Sequence, residues 1–217
     1  PLEEEQIQLF FSDIEPLAAS KVLVRLENET LSIGQRILSQ GLQLTVRGQD
    51  KIGIIGPNGV GKSTLLAKLH QLLSGKREIS LGFMPQDYLE TLQLDLSPVE
   101  FLSQTGHKEE IQKIQSHLAS LNFSYPEMHH QIHSLSGGQQ GKLLLLNLVL
   151  RKPNFLLLDE PTRNFSPTSQ PEIRKLFANY SGGLVTVSHD RRFLKEVCTS
   201  IYSLTEPGLE VVDLQDL

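Results

Sequence analysis

The stretch GPNGVGKST, Gly56 to Thr64, sets three glycines, a lysine and two hydroxyls at a spacing suited to a phosphate chain. It fits the pattern G-x-x-x-x-G-K-[ST], whose parts have separable physical roles. The glycines let the backbone curl so that its N–H groups face phosphate oxygens, and a following helix N-terminus favours the negative charge. Gly56, Pro57, Asn58, Gly59, Val60, Gly61, Lys62, Ser63 and Thr64 form the candidate cradle. Lys62 would reach the terminal phosphates and Ser63 would ligate Mg²⁺. The bland alternative is a glycine turn before a helix.

Two further segments weigh against that alternative. The apolar run Phe155 to Leu158 ends in Asp159 and Glu160. If the run is a strand of a parallel sheet, both carboxylates stand at its C-terminal edge, where such sheets bind ligands. Asp159 would then hold Mg²⁺, largely through water, and Glu160 would orient and deprotonate an attacking water. A solvated acidic turn is the alternative for this pair standing alone. Upstream, LSGGQQ, Leu135 to Gln140, opens a long apolar helix. Ser136, Gly137 and Gly138 there could offer hydroxyl and backbone donors to an anion, or could simply cap the helix.

The elements that must position these residues follow from periodicity. From Lys21 onward, VLVRLENETL and GLQLTVRGQDKIGIIG are strand-like runs punctuated by Gly34, Gly41 and Gly48. KSTLLAKLHQLL places Leu65, Leu66, Leu69, Leu72 and Leu73 on one helical face, with Gly75 suited to end it. Residues 87–134 change character. HKEEIQKIQSHLASL is an amphipathic helix with Ile111, Ile114, Leu118 and Leu121 as its stripe, and SYPEMHHQIHS after it is looser. A helix ended by Pro153, the strand NFLLLDE, the helix PEIRKLFANY, the strand GLVTVSH and the helix DRRFLKEV complete the chain's alternation. An α/β class with a parallel core is expected.

At 217 residues, with 39% hydrophobic and 21% charged content, the chain suits one globular domain with at most a small appended lobe. A formal charge of -5 argues against a strongly basic nucleic-acid groove. A single cysteine, Cys198, rules out a disulfide framework and a thiol metal cluster, points to a reducing compartment, and is expected to be an inert core residue. No run approaches the ~20 apolar residues of a membrane span, and PLEEEQIQLFF lacks the basic start of a secretory signal, so a cytoplasmic location is expected. A start at Pro1 instead of methionine is what a fragment of a longer chain would show. Residues 1–20, with acidic Glu3 to Glu5, apolar Ile7, Leu9, Phe10 and Phe11, then Pro16, have the composition of an arriving linker.

A phosphate loop, then LSGGQ, then a carboxylate-tipped strand is an order that resembles the ABC ATPases, from Lys21 to the C-terminus. The resemblance implies an α/β P-loop NTPase core of ABC type, with an antiparallel β subdomain and a mainly helical, signature-bearing subdomain at about 87–150 within a domain 21–217. It implies ATP and Mg²⁺ as cofactors and a signature segment at Ser136, Gly137, Gly138 and Gln139. Gln86 in FMPQD resembles the family's Q-loop glutamine, which also contacts the metal, and His189 in TVSHD resembles its switch histidine. The family's adenine-stacking aromatic would fall at Ile33, which offers apolar contact without a π face. Its D-loop aspartate falls at Ser166.

DEPTRNFSP, SHDRRFL and LSGGQQGK together look most like the second ATPase domain of bacterial ABC-F proteins, soluble tandem ATPases acting on ribosomes as translation factors or in antibiotic resistance by ribosome protection. That likeness makes residues 1–20 the end of the interdomain linker. It also implies a second ABC domain, in the same full-length chain or as a homodimer of the fragment, for full activity. About fifty residues between Gln86 and Ser136 leave no room for a long inserted arm. The alternatives are the nucleotide-binding subunit of an ABC membrane transporter, an SMC-type ATPase, which lacks its coiled-coil heptads here, and a module that binds nucleotide without turnover, opposed by intact Lys62, Asp159, Glu160 and His189.

Overall fold

The computed structural model describes residues 9–217. The acidic run Glu3 to Glu5, assigned to the linker above, lies outside the described residues. In chain order the elements are β1 (Val22–Ile33), β2 (Arg36–Arg47), β3 (Lys51–Ile55), α1 (Lys62–Ser74), β4 (Leu81–Met84), α2 (Pro98–Leu102), α3 (Lys108–Ser120), α4 (Tyr125–His129), α5 (Gly137–Leu150), β5 (Phe155–Asp159), α6 (Gln170–Ala178), β6 (Gly183–Val187), α7 (Arg191–Val197), β7 (Ser200–Thr205) and β8 (Gly208–Val212).

β1 and β2 form an antiparallel hairpin, and the other strands form one sheet in the order β4-β5-β6-β3-β7-β8. All neighbours in that sheet are parallel except β7 and β8. β4, β5, β6 and β3 therefore deliver their C-terminal ends to a single edge. Gln86 follows β4, Asp159 and Glu160 end β5, His189 follows β6, and the glycine cradle follows β3.

Alternation along β5 divides the core in two. Phe155 and Leu157 face a cluster with Ile54, Val185, Leu65, Leu66, Leu69 and Leu73 of α1, and the buried side of the β1–β2 hairpin. Leu156 and Leu158 face the other cluster, which continues through Leu143 to Leu146 of α5 into the helical region around Ile114, Leu118 and Ile132. One strand thus ties both layers to the carboxylates at its tip. Leu9 is buried in the second cluster. Phe11 stacks obliquely on Tyr180, with ring centroids 4.7 Å apart, and Tyr180 donates to the Pro153 carbonyl at 2.7 Å.

Several expectations change. Leu72 is 40% exposed, because at 100° per residue it falls at the rim of the stripe centred on Leu66 and Leu69. Gly41 lies inside β2 instead of ending a strand: at φ 69° it faces Asn28, φ 50°, where the β1–β2 register shifts. The looser segment contains α4, begun by a capping box between Ser124 and Glu127, and α2 begins with the same device at Ser97 and Glu100. Strands β4, β7 and β8 add to the expected alternation.

Candidate active site

The cradle is shaped by two glycines in backbone conformations that strain any other residue. Gly56 has φ 151°, and a Cβ there would sit 2.8 Å from the Leu204 carbonyl oxygen. Gly61 caps α1 at φ 109°, against Leu38. With no capping side chain, the first turn of α1 keeps its N–H groups for an anion. Lys62 folds back over the loop and donates to the carbonyls of Gly56 at 2.5 Å and Pro57 at 2.9 Å. Burial lowers its pKa, against the opposing pull of Glu160 and Asp159.

Ser63 Oγ donates to Asp159 Oδ2 at 2.8 Å, joining the start of α1 to the tip of β5. Asp159 is buried, and its Oδ1 has no hydrogen-bond partner among the described residues. Burial raises its pKa, opposed by the Ser63 hydroxyl and then by Lys62 and Arg163. An orphaned carboxylate oxygen beside a serine hydroxyl is a donor set that fits a hard divalent cation.

Glu160 has φ 50°, a left-handed conformation that a non-glycine residue adopts at a cost of about 1–3 kcal/mol. Its N–H donates to the Val187 carbonyl at 2.8 Å, continuing the β5–β6 pairing one residue past the strand. Its side chain is 10% exposed. It accepts from the His189 backbone N–H at 3.3 Å and lies 3.4 Å from His189 Nε2. Burial raises the pKa of Glu160, partly offset by that His189 N–H.

These groups surround one cavity of about 680 Å³, to which Ile33, Asn58, Gly59, Gly61, Lys62, Ser63, Thr64, Gln86, Asp159, Glu160 and His189 all contribute. Gly56 and Pro57 act through the carbonyls that hold Lys62, and Val60 packs beside Gly56. Ile33, 62% exposed, stands at the cavity mouth at the end of β1.

Ser136, Gly137, Gly138 and Gln139 do not line this cavity. They begin α5, where Ser136 Oγ accepts from Gln139 N and Gln139 Oε1 accepts from Ser136 N, each at 3.2 Å. Gln139 Nε2 donates to Glu127. The side chain of Gln139 is therefore engaged within its own subdomain, while Gly137 and Gly138 have open space beside them.

Sequence reasoning missed Thr162, Arg163, Gln170 and Asp190, all cavity-lining residues. Asp190 could have been found as an N-cap ahead of RRFL: it accepts from Phe193 N, and its other oxygen accepts from Thr162 Oγ1 at 3.0 Å. Ser166 Oγ lies 3.0 Å from both Thr168 Oγ1 and Ser169 Oγ.

The sequence profile described as ABC transporter matches residues 39–163, more than half of the chain. The chain belongs to this ABC family. Among curated relatives it is 31% identical to the probable ATP-binding protein YheS of Escherichia coli K12 over 210 residues, 94% of this chain and 33% of that protein. It is 31% identical to the putative ATP-binding protein YdiF of Bacillus subtilis, covering 97% of this chain and 34% of that one. With ABC transporter F family member 2 of Arabidopsis thaliana it shares 26% identity, over 96% of this chain and 32% of the other. The chain thus spans about a third of the length of these relatives.

Its fold is that of the ABC cassette. It superimposes with a TM-score of 0.72 on the dimeric post-hydrolysis state of the ATP-binding cassette MJ0796 bound to ADP and Pi, at 20% identity, covering 88% of this chain and 98% of that one. A bacterial Atm1-family ABC exporter with ATP bound gives 0.73 at 18% identity, over 94% and 41% of the two chains. Among the described residues no helix is long and apolar enough to cross a membrane.

Proposed function

We propose that this ABC domain binds and hydrolyses ATP within a soluble, cytoplasmic ABC-F protein acting on the ribosome. The observation that carries the ATPase reading is the convergence of Lys62, Ser63, Asp159, Glu160 and His189 on one cavity at the C-terminal edge of the sheet. ATP would bind with its β- and γ-phosphates at the N-terminus of α1, where Lys62 exchanges the Gly56 and Pro57 carbonyls for phosphate oxygens. Ser63, Asp159 and Gln86 would hold Mg²⁺, which supplies positive charge to the phosphates when bound.

Glu160 Oε1 or Oε2 would accept the proton of the attacking water, and its burial makes it a stronger base than an exposed carboxylate. The His189 N–H orients the carboxylate, and the His189 ring stands beside it where it can face the γ-phosphate. Ile33 would meet the base by apolar contact alone. The signature residues Ser136 to Gln139, outside this cavity, would complete the site of a second ABC domain. The dimeric state of MJ0796 supports that arrangement.

The ABC-F assignment rests on the likeness to ABC transporter F family member 2 and on relatives three times as long as this chain, long enough for two such domains. The Atm1-family exporter shares the fold alone and gives the transporter reading no added weight. Ribosome pelleting tests the assignment. The full-length protein with Glu160→Gln is expected to cosediment with ribosomes in ATP and to be released in ADP, whereas this domain alone, with its charge of -5, pellets weakly. Equal recovery in the supernatant with either nucleotide, at low salt, would remove the ribosome from the account.

A further inference from the structure

The loop after β5 and the loop after β6 are fastened to each other at three points. Two of them involve Glu160, whose N–H donates to the Val187 carbonyl at 2.8 Å and whose carboxylate accepts from the His189 N–H at 3.3 Å. The third lies two residues further along one loop and one further along the other, where Thr162 Oγ1 donates to Asp190 Oδ2 at 3.0 Å. Thr162 is 3% exposed, so its hydroxyl depends on Asp190 for a partner.

Asp190 is itself held firmly. Its N–H donates to Ser188 Oγ at 3.0 Å, and its Oδ1 accepts from Phe193 N at 3.1 Å as the cap of α7, whose Phe193 and Leu194 are buried in the core. Oδ2 reaches across to Thr162, and Thr162 passes that anchorage to a closed turn. The Glu160 carbonyl accepts from Arg163 N and the Thr162 carbonyl from Phe165 N, each at 3.2 Å. Glu160 stands at the head of this turn with φ 50°, a conformation that persists only where the surroundings hold it. The Val187 carbonyl holds it at its own N–H, and the bond from Thr162 to Asp190 holds the chain that follows.

We propose that Thr162 and Asp190 are positioning residues for ATP turnover: their hydrogen bond ties the turn after Glu160 to the cap of α7 and so keeps the Glu160 carboxylate against His189. The proposal rests on the reading of this cavity as an ATPase site. Both residues border the cavity, but neither is among the groups assigned above to phosphate or Mg²⁺. Thr162→Val keeps the shape of the side chain and removes the hydroxyl, whereas Thr162→Ser keeps the hydroxyl and removes a methyl. Asp190→Ser keeps an oxygen for the cap of α7 and has no second one for Thr162.

The experiment measures ATP affinity, kcat and thermal midpoint for the full-length protein, these three variants and the double variant of Thr162→Val with Asp190→Ser. Thr162→Val and Asp190→Ser are each expected to lower kcat about tenfold, as small misplacements of catalytic groups do, while ATP affinity stays within about twofold, since no phosphate contact is touched. Thr162→Ser is expected to keep kcat within about twofold of the parent, even where the lost methyl lowers its thermal midpoint. The double variant is expected to lose no more than either single one, the mark of a shared interaction. Full kcat in Thr162→Val overturns the proposal. So does a kcat in Thr162→Ser as low as in Thr162→Val, which would make packing and not the hydroxyl responsible, and so do losses that multiply in the double variant. If the unsubstituted protein turns over no ATP, the ATPase reading falls and the proposal with it, an outcome distinct from an active parent with an unaffected Thr162→Val variant.

Discussion

At the scale of single residues, the site holds two carboxylates in surroundings that disfavour their charge. Asp159 and Glu160 both have raised pKa values, burial being the first cause in each. A carboxylate whose folded-state pKa lies above its unfolded one binds more protons when folded. Its contribution favours folding below the unfolded pKa and is lost as pH rises through the folded pKa. At neutral pH Glu160 therefore works against the fold, and the φ of 50° adds to that cost. Glu160→Gln is expected to raise the thermal midpoint at pH 7, where a gain of about 1 kcal/mol corresponds to about 2–4 °C in a domain of this size. The gain should shrink as pH falls toward the carboxylate range. Melting curves at pH 7 and at pH 5 check this, and an unchanged or lowered midpoint at pH 7 would show that the environment of Glu160 is less costly to its charge than described.

At the scale of elements, the sheet order does most of the positioning, and close packing keeps it. Gly53 in β3 is wedged between layers: a Cβ there would lie 2.6 Å from Ile201 Cδ1 and 2.7 Å from Leu194 Cδ2. Gly53→Ala should cost about 1–3 kcal/mol by overpacking, read as a lower denaturation midpoint with an unchanged slope; a neutral result would mean that β7 and α7 can yield. Gly53 carried no signal in the sequence, since its neighbours come from residues some 150 positions away. The glycine cradle, the run Phe155 to Glu160 and α1 were legible because each is written in consecutive residues with one physical purpose. Strands β7 and β8 were not. Short and partly exposed, with Val211 80% exposed, they depend on pairing with β3 and with each other. Helices α2 and α4 carry a cap, Ser-Pro and Ser-Tyr-Pro followed by Glu, that was readable in principle but too short for periodicity to pick out. Arg163 and Thr162 escaped because nothing in PTRNF indicates which way the turn after Glu160 faces.

At the scale of the whole molecule, the glycine loop ahead of α1 and the segment Ser136 to Gln139 at the start of α5 lie apart. The cavity around Lys62 lacks Ser136 to Gln139, so on the function proposed above each domain would carry half of two sites and turnover would be a property of a closed pair. Glu160→Gln and Lys62→Ala separate its steps. Glutamine keeps the size of Glu160 but accepts no proton, and it removes a negative charge facing the triphosphate. Lys62→Ala would remove the cation proposed to pair with the phosphates, and with it the capture of ATP. The measurement is ATP affinity, single-turnover hydrolysis and an interdomain distance label on the full-length protein carrying each substitution in turn. Glu160→Gln is expected to bind ATP with undiminished affinity, to lose hydrolysis by at least about a hundredfold, and to hold the short, closed distance, while Lys62→Ala binds weakly and stays open. Near wild-type hydrolysis in Glu160→Gln would contradict the account, because the proton of the attacking water would then be going to another group.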